Sequence, residues 1–206
     1  MKNRAMSTPR AMACVAAMLL TGCYPTLSTR YQPHGTGKAY GPYGCQVNDH
    51  ALMEFALGDG ATFNVSASMA TPSDPVTWVG ARLILLPLQH ARFEAAELKI
   101  KTDSMSEYIS MPITRVDITY NGSSPDGTKP GMATIDPRET LDGGPVGSRG
   151  IKRMTNLDFS VKAPFQGSPN FTVIFPTIVL DARTITLEPV RFTLLRHARA
   201  VGVACL

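Results

Sequence analysis

The chain has 206 residues, of which 44% are hydrophobic and 17% are charged, and its formal net charge is +4. Three of its basic residues, Lys2, Arg4 and Arg10, lie in the first 22 positions, which hold no acidic residue. Without that segment the chain is close to neutral, because its basic side chains then outnumber its acidic ones by one. The length suits one domain of ordinary size, and the near-neutral balance excludes the strong basic charge typical of nucleic-acid-binding proteins.

Residues 1–22 have the layout of a secretory signal peptide. A positively charged start is followed by the apolar run 11–20, which leads into small residues. This run is too short to span a bilayer, which takes about 20 apolar residues. The other rich run, 76–88, contains Arg82 and Pro87. We therefore expect the first segment to be cleaved and the mature chain to have no membrane-spanning helix.

The four residues Leu20, Thr21, Gly22 and Cys23 resemble the lipobox of bacterial lipoproteins at every position. The resemblance covers residues 1–23 alone. It implies diacylglyceryl transfer to the Cys23 sulfur, cleavage before Cys23 and acylation of the new amino terminus, which together form a durable lipid anchor. Tyr24 stands where an aspartate commonly retains such proteins at the inner membrane, so the resemblance favours the outer membrane. We expect the periplasmic side of that membrane in preference to the cell surface. The alternative is an ordinary signal peptide that happens to contain a cysteine.

Residues 23–44 are predicted to form a flexible tether. They are rich in tyrosine, glycine and proline and show no periodic apolar pattern. A flexible segment of this length spans about 25 Å, which would hold a domain just clear of the lipid headgroups.

After Cys45 the pattern becomes that of β-strands. Apolar and polar residues alternate over 53–57 and 63–67 around the turn Gly58-Asp59-Gly60, which predicts a hairpin. Residues 76–86 form a denser apolar strand, suited to burial on both faces. Residues 89–97 are ambiguous between a turn and a single helical turn, and alternation resumes over 98–102 and 116–120.

Residues 121–150 depart from this rhythm, with seven glycines and four prolines. A loop this long is usually either functional or disordered. We expect a binding loop, because binding residues concentrate on loops held by a rigid scaffold, with plain disorder as the alternative. Calcium binding by its carboxylates is a weaker alternative, since they fit no known register. The charged candidates are Asp126, Lys129, Asp136, Arg138, Glu139 and Asp142.

Strand patterns return after residue 156 and continue to residue 195. Many short strands with frequent turn signals predict a single all-β domain over 45–206, an antiparallel β-sandwich of the immunoglobulin-like type, with a small β-barrel as runner-up. The expected core residues are Phe55, Phe63, Trp78, Leu85, Phe159, Phe171 and Phe192.

Two cysteines remain once Cys14 is discarded with the signal and Cys23 is lipidated. Cys45 and Cys205 bracket the predicted domain, and in an oxidising compartment they are expected to form a disulfide. The alternative is a pair of free thiols.

Catalytic signals are weak throughout the chain. No two of the four histidines have a metal-ligand spacing, and Ser148 lacks the nucleophile-elbow pattern. We therefore expect no catalytic residue, no metal and no cofactor beyond the lipid on Cys23.

The sequence thus favours a membrane-anchored lipoprotein with a non-enzymatic binding, protective or structural role in the cell envelope. Its expected partners are the membrane, through the anchor, and a protein or other envelope component, with no nucleic acid. The alternative is a periplasmic hydrolase or carbohydrate-active enzyme, whose site residues would come from distant strands.

Overall fold

The computed structural model describes residues 23–40, 51–69, 76–121, 133–143, 154–166 and 169–202. These residues form strands and connecting turns, and no helix in this part of the chain could cross a membrane. The strands, in chain order, are β1 Cys23–His34, β2 Lys38–Tyr40, β3 Leu52–Gly58, β4 Ala61–Met69, β5 Val76–Leu85, β6 His90–Phe93, β7 Glu97–Thr102, β8 Ile109–Pro112, β9 Val116–Asn121, β10 Ala133–Ile135, β11 Leu141–Asp142, β12 Met154–Gln166, β13 Phe171–Ile174, β14 Ile178–Leu180, β15 Arg183–Ile185 and β16 Val190–Gly202.

The strands pair into three antiparallel sheets. A five-stranded sheet has the order β1-β16-β13-β7-β8, a seven-stranded sheet has the order β10-β9-β12-β5-β4-β3-β2, and a four-stranded sheet has the order β11-β6-β14-β15. The predicted all-β, antiparallel class is confirmed. Each of the three described sheets is open, with two edge strands, which differs from the closed barrel held as the alternative.

The predicted hairpin is the β3–β4 pair, in which Phe55 lies opposite Phe63. Its turn needs a left-handed backbone, with φ values of 93° at Gly58, 50° at Asp59 and 81° at Gly60. Glycine adopts such angles without steric cost, and aspartate tolerates them better than most residues. The Gly-Asp-Gly sequence therefore accounts for the position of the turn.

Buried and more exposed residues alternate strictly along β5. The expectation that this strand is buried on both faces is therefore wrong. Thr77, Val79 and Leu83 are buried, whereas Trp78 is 38% exposed. Trp78 was predicted in the core, and that prediction is wrong. The period of two sends a residue to the face opposite its neighbours, and the small Thr77 points inward, where its hydroxyl lies 3.3 Å from the Tyr31 hydroxyl.

The remaining six predicted core residues are buried in one hydrophobic cluster that joins the inner faces of the sheets. Phe171 and Phe192 of the five-stranded sheet stack with ring centroids 5.2 Å apart. Phe63 of the seven-stranded sheet lies 6.4 Å from both Phe93 and Phe159. Such aromatic pairs contribute about 0.5–1.5 kcal/mol each beyond their buried area.

The tether prediction is corrected for most of residues 23–44. β1 pairs with β16 without interruption, from Cys23 opposite Gly202 to His34 opposite Arg191. β2 pairs with β3 at the edge of the seven-stranded sheet. The alternation in β1 is interrupted by prolines and threonines, and the backbone hydrogen bonds come from partners near the other end of the chain, so the local pattern gave no strand signal. Residues 41–44 lie outside the described residues.

The prediction that residues 121–150 form one long loop is also wrong in part. β10 adds to β9 at the edge of the seven-stranded sheet, and β11 adds to β6 in the four-stranded sheet, so residues 133–143 bridge two sheets. Gly143 follows β11 and donates its backbone N–H to the Gln89 carbonyl at 2.8 Å. The ambiguous stretch before residue 97 contains β6 and no helical turn.

Candidate functional site

A row of polar side chains crosses the outer face of the seven-stranded sheet. Cross-strand register places these residues side by side, each directly opposite the next on the neighbouring strand. On β3, β4, β5, β9 and β12 the apolar neighbours of these polar residues point into the core, so the period of two directs the polar residues outward. We call this set the polar row; in order across the sheet it is Lys38, Glu54, Asn64, Arg82, Asp158 and Asp117.

Beside the polar row the sheet surface is concave, with a cavity volume of about 470 Å³. Gly80 lies in the middle of it, flanked on the neighbouring strands by Ser66 and Ser160. A depression forms here because three small residues stand next to the larger side chains of the polar row. We call it the sheet groove; it is lined by Leu52, Asn64, Val65, Ser66, Gly80, Ala81, Arg82, Asp117, Asp158, Phe159 and Ser160.

The charges at the sheet groove are arranged in neutral pairs. Arg82 Nε donates to Asp158 Oδ1 at 2.6 Å, and Arg115 Nη2 donates to Asp117 Oδ2 at 2.8 Å. Asp117 and Asp158 lie directly opposite each other, an arrangement that is unfavourable for two like charges unless counterions are present. The two arginines supply those counterions. The hydrogen bond to Asp117 raises the pKa of Arg115 above its ordinary value, so the guanidinium stays charged at physiological pH.

Within the described residues, some hydrogen-bonding groups of Arg82 and Asn64 have no partner. The Arg82 side chain is 52% exposed, and its bond to Asp158 engages Nε alone. Asn64, the cross-strand neighbour of Arg82, has a buried Oδ1 with no hydrogen-bond partner. Burying an unsatisfied amide oxygen costs about 1–3 kcal/mol. The groove therefore has unused donors on Arg82, next to an unsatisfied acceptor that is itself buried.

Aromatic side chains lie on the same face as the groove. Trp78 occupies the outward position of β5 immediately before Gly80 and pairs with Ser68 and Lys162. At the far edge of the sheet, the Tyr40 hydroxyl donates to Glu54 Oε1 at 3.1 Å, and Lys38 Nζ lies 4.8 Å from the Tyr40 ring centroid.

The predicted loop residues do not join this site. Asp136, Arg138 and Glu139 form an exposed turn between β10 and β11, in which Asp136 Oδ1 accepts the Arg138 backbone N–H at 2.8 Å. Asp142 lies in β11, opposite His90. Asp126 and Lys129 lie outside the described residues. Within the described ranges, no group of three or more His, Cys, Asp or Glu residues could hold a metal ion.

The predicted cysteine sites are placed only in part. Cys23 is the first residue of β1, and its backbone lies opposite Gly202 near the end of β16. Cys45 and Cys205 lie outside the described residues, so their disulfide stays a prediction.

Sequence reasoning missed the groove residues Arg82, Asp117 and Asp158. Each appears in the sequence as one polar position in a half-buried strand, and the three are far apart along the chain. Alternation shows that each faces outward, but strand order decides which outward residues become neighbours. The sequence signal that could have pointed to the groove is Gly80, because a glycine inside a regular strand often marks a site of close approach.

Comparisons with known proteins add no relative. A scan against protein-family models, a search of curated proteins and a search of solved structures each found no match.

Proposed function

We propose that the chain is a bacterial envelope lipoprotein with a non-enzymatic binding role, anchored through Cys23 and presenting a binding face on its seven-stranded sheet. The observation that carries the binding role is the sheet groove, in which polar groups converge on a depression while the charged ones are already neutralised. The location rests on the lipobox resemblance of residues 20–23.

The body of the protein is proposed to be an immunoglobulin-like β-sandwich. Supporting this, the five-stranded and seven-stranded sheets share one apolar core and have polar outer faces. Such packing leaves a whole sheet face free to bind, because the core needs only the inner face.

The position of Cys23 suits a membrane anchor. The β1–β16 pair continues to Cys23 and Gly202, whereas β13 pairs with β16 only at Val190–Phe192. Just past this stretch, the Leu194 backbone N–H donates to a side chain instead of to a strand, with Asn170 Oδ1 at 3.0 Å. Acyl chains on Cys23 would therefore lie at the end of a two-stranded ribbon, several residues away from the main sheet.

The anchor is tested by the variant Cys23→Ala in the native bacterium. We expect the wild-type chain in the membrane fraction, with mass spectrometry showing acyl chains on residue 23, and the variant in the soluble fraction. Cys14→Ala is the matched control and should behave as wild type, because residue 14 leaves with the signal peptide. An unmodified residue 23, or a variant that stays in membranes, would contradict the proposal.

The binding role is tested by crosslinking the anchored protein to its native neighbours. The recognition loop 121–150 stays part of this proposal, and it includes the exposed turn of Asp136, Arg138 and Glu139. A deletion of 123–131 spares β9 and β10, whereas removal of the whole loop would take two paired strands with it. Partners that are lost on this deletion support recognition by residues 123–131; an unchanged set of partners assigns recognition to the turn of Asp136, Arg138 and Glu139 or to another surface.

A second candidate, a carbohydrate-active hydrolase, is favoured by one observation: two carboxylates, Asp117 and Asp158, line the same groove. Glycosidases use such a pair, but one of the two must carry a proton in order to act as the acid. Here each of the two is instead ion-paired to an arginine. Release of reducing ends from oligosaccharides by the wild-type protein, abolished in Asp158→Asn, would establish hydrolysis and displace the non-enzymatic interpretation.

A further inference from the structure

The sheet groove has the size of a ligand site and is open to solvent along the sheet. Its volume of about 470 Å³ falls within the range of small-molecule pockets, which is about 300–1,000 Å³. Its floor is the strand segment at Gly80, and the Arg82–Asp158 pair forms one wall. A groove of this shape accepts an elongated molecule lying across the strands.

The charge of the groove selects against ionic ligands. Among the described residues, Arg82 and Arg115 balance Asp117 and Asp158, so these four side chains together carry no net charge. An anion such as a phosphate needs a net positive site, and a metal or ammonium ion needs a net negative one. An extended peptide usually adds to a sheet edge, where backbone groups are unpaired, rather than to a face. A neutral, polar ligand remains.

The polar side chains of the groove are well suited to hydrogen bonding with the hydroxyl groups of a ligand. A hydroxyl accepts one hydrogen bond and donates another, so a single one can bridge an arginine N–H and a carboxylate oxygen. The Arg82 guanidinium and the Asp158 carboxylate lie side by side, joined through Nε and Oδ1. Ser66 and Ser160 add two hydroxyls on either side of Gly80, and the buried Asn64 Oδ1 lacks a donor.

Trp78 supplies an apolar surface next to these polar groups. It is 38% exposed and lies two residues before Gly80 on the same face of β5, which is about 7 Å along the strand. An exposed indole beside a hydrogen-bonding groove matches the two sides of a sugar, whose C–H face packs on an aromatic ring while its hydroxyls form hydrogen bonds.

We propose that the sheet groove, together with Trp78, binds a neutral oligosaccharide. The proposal names the ligand class of the binding role proposed above and rests on it. A sugar unit against Trp78 places its own hydroxyls, or the next unit of the chain, over Gly80 and within reach of the Arg82–Asp158 pair. The dissociation constant is expected on the order of 1 mM, because the groove is shallow and open.

The test is a titration of the full-length chain in a detergent without a sugar headgroup. Trp78 is the single tryptophan of the chain, so its fluorescence reports directly on the groove. The probes are neutral tri- and tetrasaccharides of glucose, mannose, galactose and N-acetylglucosamine, with a sulfated oligosaccharide of equal length as the charge control. We expect a saturable change in emission with at least one neutral probe and none with the sulfated one.

Gly80→Val is the decisive variant, because its side chain would occupy the groove and its Cβ would make only ordinary contacts. A Cβ at Gly80 would lie 3.7 Å from the Phe159 carbonyl oxygen and 3.7 Å from Ser66 Oγ, which is ordinary contact. Binding should weaken at least about tenfold, a loss of about 1.4 kcal/mol. Ser110→Val places the same side chain on an exposed position of β8 and should bind as wild type.

Three results would overturn the proposal: no neutral probe binding at about ten times the expected dissociation constant, binding unaffected by Gly80→Val, or equal loss in Ser110→Val. The outcome is independent of the anchor, since loss of acylation in Cys23→Ala leaves the groove intact. If Gly80→Val instead removes a crosslinked protein partner while no sugar binds, the binding role stands and the ligand class is wrong.

Discussion

At the scale of single residues, two glycines have opposite tolerance for a side chain: Gly143, just after β11, and Gly80, within β5. A Cβ at Gly143 would lie 1.9 Å from the Leu86 carbonyl oxygen and 2.9 Å from its carbonyl carbon. These are backbone atoms that cannot rotate away. Leu86 is fixed in turn by Gln89, whose Oε1 accepts the Leu86 N–H at 2.7 Å and whose Nε2 donates to the Asp59 carbonyl. Gly80 has no such neighbour among the described residues.

Gly143→Ala is therefore expected to lower the free energy of unfolding by about 1–3 kcal/mol, the usual cost of overpacking. The measurement is chemical denaturation of the purified protein. Gly80→Ala is the matched control and should be neutral or slightly stabilising, because alanine loses less backbone entropy than glycine in a strand. Equal stability of the two variants would show that residues 133–143 are not held against Leu86.

At the scale of elements, β1 shows how a segment without an apolar pattern becomes part of a sheet. It packs through Tyr31, which is fully buried against Phe171 with ring centroids 5.0 Å apart. Prolines and threonines lie on both sides of this tyrosine, so periodicity alone predicted a tether. The strand is stabilised by backbone pairing with β16 and by one large aromatic anchor, and neither is visible before the chain folds.

Tyr31→Ala should destabilise the protein by about 3–5 kcal/mol, as truncation of a buried aromatic residue does. The melting temperature, followed by circular dichroism, measures the effect. Tyr108→Ala removes a ring that is 39% exposed. This control is expected to change stability by less than about 1 kcal/mol. A flexible tether would instead make the Tyr31 substitution as mild as the control.

At the scale of the whole molecule, the ends of the described chain are brought together. β1 and β16 pair along their length, so Cys23 and Gly202 are neighbours in the five-stranded sheet. The predicted disulfide between Cys45 and Cys205 would add a covalent closure that encloses nearly the whole predicted domain. A closed loop of that size contributes up to about 5 kcal/mol in the chain-entropy account.

Cys45→Ser is accordingly expected to lower the melting temperature of the oxidised protein, and Cys205→Ser should lower it equally. The double variant should match either single one, because all three lack the same bond. Thiol titration of the unfolded wild-type protein under non-reducing conditions gives the direct check. Two titratable thiols from these residues in the native, oxidised protein would refute the pairing.

Local sequence patterns were enough to predict the secondary-structure class, the β3–β4 turn and six of the seven expected core residues. Alternation with a period of two and the glycine requirement of a left-handed turn are local properties, and they act over a few residues. The lipobox resemblance at Cys23 is equally local. Local patterns misplaced Trp78. Its neighbour Thr77 faces the core, so the alternation of β5 turns Trp78 outward.

The groove, in contrast, exists only in the assembled sheet. Asn64, Arg82, Asp158 and Asp117 come from four strands, and they meet because the strand order β4-β5-β12-β9 sets them side by side. The order follows from long-range hydrogen bonding and core packing, which no short stretch of sequence encodes. For the same reason Gly80 is an ordinary strand glycine in the sequence and becomes the floor of a groove only when its neighbours on both sides are in place.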